Sequence, residues 1–174
     1  WRSIQDNVFA DPGTVPAYVA ATGGTITTVC TNYKVHTFTG PGTFTVSCAG
    51  NSAGSNTVSY LVVAGGGGGG DGSGGSSASG GGGGAGGFRE GRNSFCSSYT
   101  VSPLNAPAGL PVSATGYPIV VGAGGTTNAC GNAGSFSTIT SAGGGKGGQG
   151  SGSPVAGTAG GSGGGGNGSG GGGG

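Results

Sequence analysis

The sequence predicts a mainly β protein without α-helix: a small antiparallel β region, then a bundle of packed polyglycine II-type helices with variable loops. Three observations carry this. Of the 174 residues, 51 are glycine, and all but seven of these follow Ala64. Most come in runs, at residues 65–70, 80–84, 143–145, 163–166 and 170–174. The first run follows a strong apolar strand, Tyr60-Leu61-Val62-Val63-Ala64, and a second such strand is Tyr117-Pro118-Ile119-Val120-Val121. A flexible linker needs no such anchors. Glycine loses more backbone freedom on folding than any other residue. A stretch this rich in it folds when the missing side chains are themselves used, for close packing of bare backbone.

The elements follow in chain order. Residues 1–24 read as an irregular lead-in, with turn or extended signals at Asp11-Pro12-Gly13 and Val15-Pro16 and a small-residue joint at 20–24. Residues 25–64 read as a small β domain. Thr25-Ile26-Thr27-Thr28-Val29 is rich in β-branched side chains, which favour strands. The next stretch is nearly a palindrome about Pro41. A three-residue loop, Gly40-Pro41-Gly42, would pair Thr39 with Thr43, Phe38 with Phe44, and His36 with Val46. Pro41 fits there because no ladder hydrogen bond is asked of it. Residues 51–56 form a polar turn. Residues 58–64, almost all apolar, predict a strand buried on both faces.

From Gly65 the character changes. Residues 65–159 read as a glycine-rich domain whose runs alternate with insertions at 71–79, 88–118, 126–141 and 146–159. Residues 135–140 alternate like one more strand. Residues 160–174 form a glycine tail. No strict glycine-every-third pattern with abundant proline appears, which excludes collagen. An extended three-residue-per-turn helix has no internal hydrogen bonds and rises about 3.1 Å per residue. Packed side by side without side chains, such helices can bond to one another through their backbone groups, which answers the accounting for buried N–H and C=O.

Charge narrows the function. Five Lys and Arg against four Asp and Glu leave a net charge of +1. Five scattered cations cannot make the dense basic surface on which nucleic-acid binding depends. No apolar stretch reaches the roughly 20 residues of a membrane span, and Trp1-Arg2-Ser3 lacks the opening of a signal peptide. The chain has no Met and stops within a glycine run, so it is expected to be a piece of a longer parent.

The catalytic inventory is thin, and no enzyme, metal or cofactor is expected. His36 is the sole histidine, beside Asp6, Asp11, Asp71 and Glu90; mid-strand on the face of Phe38 and Phe44, it reads as a packed strand residue. Lys146 follows three glycines but lacks the Ser or Thr that a phosphate loop needs next. Cys30, Cys48, Cys96 and Cys130 contain no Cys-x-x-Cys pair, and zinc usually takes close ligand pairs. Three disulfide pairings are possible. Cys30 with Cys48 and Cys96 with Cys130 is preferred, because the first two lie in the strand region and the last two in insertions. The Pro41 hairpin register sets Cys48 opposite Lys34, so free thiols remain the alternative for the first pair.

The blocks 35–39, 42–46 and 60–67 together resemble the glycine-rich domain of bacteriophage tail-fibre and related virion proteins. So do Gly84-Ala85-Gly86-Gly87-Phe88-Arg89-Glu90, Ser102-Pro103-Leu104-Asn105-Ala106-Pro107, residues 117–125 and residues 134–140. Such domains are abundant in phages of marine cyanobacteria. The resemblance covers residues 22 to about 150 and departs at 1–21 and at the cysteine-bearing insertions 93–98 and 126–132. It implies packed glycine helices, as in related tail-tip adhesins, and variable loops that carry specificity. It implies an extracellular virion location, association with itself as a homotrimer and with other fibre proteins, and contact with a host outer-membrane protein or surface polysaccharide. The alternatives are a capsid or head-fibre decoration protein without a receptor, and a glycine-rich extracellular structural protein.

Insertion 88–118 is the longest and alone combines aromatics with arginine, the usual anchors of recognition surfaces. Arg89, Arg92, Phe95 and Tyr99 are therefore the receptor-contact candidates. The plainer expectation is that Phe88 and Tyr117 cover a small core while Arg89 and Glu90 form a solvated pair.

Overall fold

Two glycines with left-handed backbone, Gly23 (φ 107°) and Gly24 (φ 64°), bend the chain between the first two strands of the β region. The structure, a computed structural model, describes residues 15–29, 31, 33–72, 79–92, 102–103, 105–106, 108–150, 155–168 and 171–174. Among them all regular structure is β-strand, there is no helix, and every pair of named strands is antiparallel. Gly23 and Gly24 join β1 (Val19–Thr22) to β2 (Thr25–Val29). A second turn, with Thr31 at φ 65°, returns the chain as β3 (Tyr33–Thr37). β4 (Gly42–Ala49) then runs beside β1.

The expected hairpin about Pro41 does not form. β3 pairs with β2, Ile26 opposite His36 and Val29 opposite Tyr33. β4 pairs with β1 on one side and β9 (Gly116–Val120) on the other, Phe44 opposite Tyr117. The physical reason lies in Phe38. Its ring packs against the backbone of Gly23, Gly24 and Gly42, where a Cβ would stand 3.1–3.3 Å from it, so it leaves the ladder. Phe44 instead takes the edge of the His36 ring, centroids 5.0 Å apart. His36 Nδ1 donates to the Gly23 carbonyl at 2.8 Å.

Two further expectations are corrected. Residues 57–63 form two short strands, β5 (Thr57–Val58) and β6 (Tyr60–Val63). β6 buries one face only: Val62 is buried, while Leu61 and Val63 are exposed. β7 (Phe88–Gly91) pairs with β6, and β8 (Leu110–Pro111) pairs with β5. Residues 135–140 are not one strand. β10 (Gly134–Phe136) turns at Ser137, φ 54°, into β11 (Ile139–Ser141).

The core is small: Phe44, Val46, Val62, Val112 and Phe136. Phe136 is its hub. It meets Phe44 edge-on at 5.8 Å and both Tyr60 and Tyr117 at 6.2 Å, contacts worth about 0.5–1.5 kcal/mol each beyond area burial.

The glycine runs prolong these strands. Residues 65–70 follow β6, 80–87 lead into β7, 122–125 follow β9, 129–133 lead into β10, and 142–149 follow β11. Their backbone bonds recur every third residue. Gly67 donates to Gly84 and Gly70 to Gly81, both at 2.8 Å. Gly144 donates to Gly65 and Gly147 to Gly68, both at 2.9 Å. Gly81 donates to Gly148 and Gly84 to Gly145, both at 2.8 Å. The 142–149 run is central, bonded to 65–70, 80–87, Gly131, Thr158 and 161–165. No glycine in these runs has left-handed backbone; among the described glycines only Gly23, Gly24 and Gly50 do. Glycine is needed here for its missing Cβ. One placed on Gly67, Gly70, Gly81, Gly83 or Gly147 would overlap a carbonyl oxygen of a neighbouring run.

Candidate functional site

The base of insertion 88–118 is built by β7 and by the chain returning to it. Pairing sets Arg89 opposite Val62 and Glu90 opposite Leu61. Arg89 is exposed and its Nε donates to the Thr140 carbonyl at 3.4 Å, which ties the head of the insertion to β11. Glu90 is half-buried and works as a latch. Its carbonyl accepts from Ala106 N–H at 2.9 Å, and its Oε2 accepts from Ser102 N–H at 3.4 Å. Gly91 bridges Ala106 in parallel and faces the Tyr60 ring so closely that a Cβ there would overlap it. Arg92, half-buried at the same base, is engaged in a contact of its own.

Of the four receptor-contact candidates, Arg89 and Arg92 stand three residues apart at this base. Phe95 and Tyr99 lie outside the described residues. Tyr117 packs toward Phe136 as expected, and its hydroxyl accepts from Ser113 N–H at 2.8 Å. Phe88 does not cover the core. It sits half-exposed opposite Val63, because the core side of β6 and β7 is already filled by β10 and β11.

The structure also brings together three residues that the sequence left apart. Cys130, exposed, has its Sγ 3.2 Å from Thr158 Oγ1, and that oxygen accepts from Lys146 N–H at 3.0 Å. The Thr158 hydrogen bond draws the thiol below its ordinary value, and the Lys146 backbone adds to this; slight burial opposes, and the Lys146 charge contributes least. Cys130 and Thr158 are joined by the packing of three glycine segments, and no local motif announces that. Cys130 and Cys48 are exposed free thiols, Cys48 opposite Ala20. Their expected partners, Cys96 and Cys30, lie outside the described residues.

A shallow cleft of about 340 Å³ opens between Gly23–Thr25 and residues 37–43. Threonines, glycines and Phe38 line it, with no titratable side chain. No group of three or more His, Cys, Asp or Glu side chains comes together among the described residues.

Compared with known proteins, the chain matches the family described as "Glycine-rich domain" over residues 37–174. No curated protein and no solved structure matches it.

Proposed function

The chain belongs to the glycine-rich domain family, and from that premise we propose that it is a segment of a bacteriophage virion protein. In this reading it is a tail fibre or fibre tip whose glycine runs are polyglycine II-type helices holding insertion loops toward the host surface. The observation that carries it is the three-residue repeat of the bonds between runs, Gly67 to Gly84 and Gly70 to Gly81 among them. Three residues per turn is the period of that helix.

A scaffold of this kind is rigid without a large apolar core and presents almost no chemistry itself. Residues 65–70 and 80–87 carry no side chain larger than the methyl of Ala85. Recognition then falls to the insertions, and 88–118 has the arginine and aromatic anchors. Arg92, at the latched base, with Phe95 and Tyr99, would meet acidic sugars or the loops of an outer-membrane protein. Copies of the chain join as trimers in the parent fibre, on the outside of the particle.

Replacing Arg92, Phe95 and Tyr99 together by alanine in the parent phage should abolish adsorption to the host while particles assemble normally. Unchanged adsorption would reassign the chain to a purely structural role, on the tail or the head.

A further inference from the structure

On the side of β6 and β7 away from the core, strand and glycine run form one continuous surface. At three-residue spacing Val63, Gly66 and Gly69 follow one another along the first chain, and Gly82, Ala85 and Phe88 along the second. Val63 and Phe88 are direct pairing partners. The strand end is apolar and open: Leu61 is 61% exposed, Val63 55%, Phe88 50% and Val120 47%. The other end is bare. Among the described residues no atom beyond its chain neighbours lies within 4 Å of where a Cβ on Gly82 would stand, and on Gly66, Gly69 and Gly124 the first such atom is 3.6, 3.5 and 3.7 Å away. The opposite side is covered, by β10 and β11 at the strand end and by the 142–149 run at the other. The amides of Gly66, Gly69 and Gly83 and the carbonyls of Gly83 and Gly124 take no hydrogen-bond partner among the described residues.

We propose that this face docks against the same face of a second copy of the chain. Glu90, opposite Leu61 at the strand end, is half-buried and its carboxylate accepts from Ser102 N–H; from Val63 and Phe88 onward the rows hold no charged residue, so nothing in them selects a partner of opposite charge. The open amides of Gly66 and Gly69, three residues apart, and the open carbonyls of Gly83 and Gly124 give this face both donors and acceptors, which backbone with no side chain in the way can meet. The chain itself carries such a surface. A two-fold axis along the rows sets apolar end on apolar end and glycine on glycine, the self-complementary contact that such symmetry requires. Ten residues of length and three chains of width, at about 3.1 Å per residue and about 4.8 Å per chain, make a face of roughly 450 Å². A standard interface buries about 800 Å² per partner. The contact therefore falls in the weak, transient class and acts where copies are held at high local concentration. It stands whether or not the chain serves in a fibre.

The test is sedimentation of the 174-residue chain across concentration, beside Gly82→Arg and Val63→Lys. Gly82 opens into free space and Val63 is exposed, so neither variant should lower the melting temperature. The parent should shift toward dimer as concentration rises, and both variants should stay monomeric. Sodium chloride should leave the association unchanged, whereas sulfate should strengthen it. Amide exchange at Gly66, Gly69 and Gly83 should slow in the dimer. A parent that stays monomeric throughout, as expected if another protein's strand covers the face, overturns the proposal. So does association that survives Gly82→Arg, or a discrete trimer in place of the dimer.

Discussion

Gly67 is packed directly onto the backbone of Gly145: a Cβ on Gly67 would stand 2.6 Å from the Gly145 carbonyl carbon and overlap its oxygen. Fifteen residues on, Gly82 has nothing among the described residues within 4 Å of the same point. Two glycines alike in sequence context should therefore respond oppositely. Gly67→Ala forces neighbouring backbone apart and should cost about 1–3 kcal/mol or more, as overpacking does. Gly82→Ala only removes freedom from the unfolded chain and should stabilise by about 0.4–1 kcal/mol. Thermal melts of the two variants check this. Equal effects would mean that the runs are not closely packed.

Ser141 ends β11 where the strand passes into the central glycine run. It is 1% exposed and its Oγ has no hydrogen-bond partner among the described residues. Burying a hydroxyl without a partner costs about 1–3 kcal/mol. Ser141→Ala should thus be neutral or stabilising by chemical denaturation. A loss above about 1 kcal/mol would reveal a bond that the hydroxyl makes.

Cys130 is held by Thr158, whose hydrogen bond draws the thiol below its ordinary value. A lowered value means that thiolate is present at pH values where an ordinary thiol, near 8.5, is still protonated. In that window Cys130 of the folded, reduced chain should be alkylated faster than the same thiol in the urea-unfolded chain. Thr158→Val should move the pH profile of the rate upward. Peptide mass spectrometry after timed iodoacetamide pulses reads both. Identical profiles for the folded parent and Thr158→Val would remove any role for that hydrogen bond.

The β2–β3 pair leaves Val29, Tyr33 and Val35 exposed, with Thr25, Thr27 and Thr37 in the pairs of the same face. A two-stranded ribbon is marginal alone, and a bare apolar face on it marks a contact surface. In the proposed reading, the longer fibre protein should run as a trimer in light scattering, and Val35→Asp should reduce that mass. A monodisperse monomer of the parent would refute trimer formation.

Much of the strand content is legible in the sequence because β-branched and aromatic runs are local signals. Thr25–Val29, Tyr33–Thr37, Gly42–Ala49 and Gly116–Val120 all stand close to where composition puts them. Pairing is not legible to the same degree. The palindrome about Pro41 is a locally consistent hairpin. It loses because Phe38 finds glycine backbone to pack on and because Phe44 has Tyr117 and Phe136 waiting from sequence far away. Strand 58–64 looked buried on both faces since its outward residues, Leu61 and Val63, are as apolar as its inward Val62. Nothing local says which side stays open. In the candidate site, Arg89 and Arg92 were readable as anchors by type. The Glu90 latch on Ser102 and Ala106 was not, since it depends on the chain returning to β7.

The sequence by itself determined that this protein is made of strands and bare glycine backbone, with almost no charge. These are properties of composition and short-range pattern, written residue by residue. Only the tertiary structure decided which strand each glycine run prolongs and which glycines are locked, like Gly67, or open, like Gly82. It alone placed Thr158 against Cys130. A glycine carries no side chain to advertise its neighbour, so the choice of neighbour rests on backbone hydrogen bonds between distant runs, and these exist only once the chain has folded.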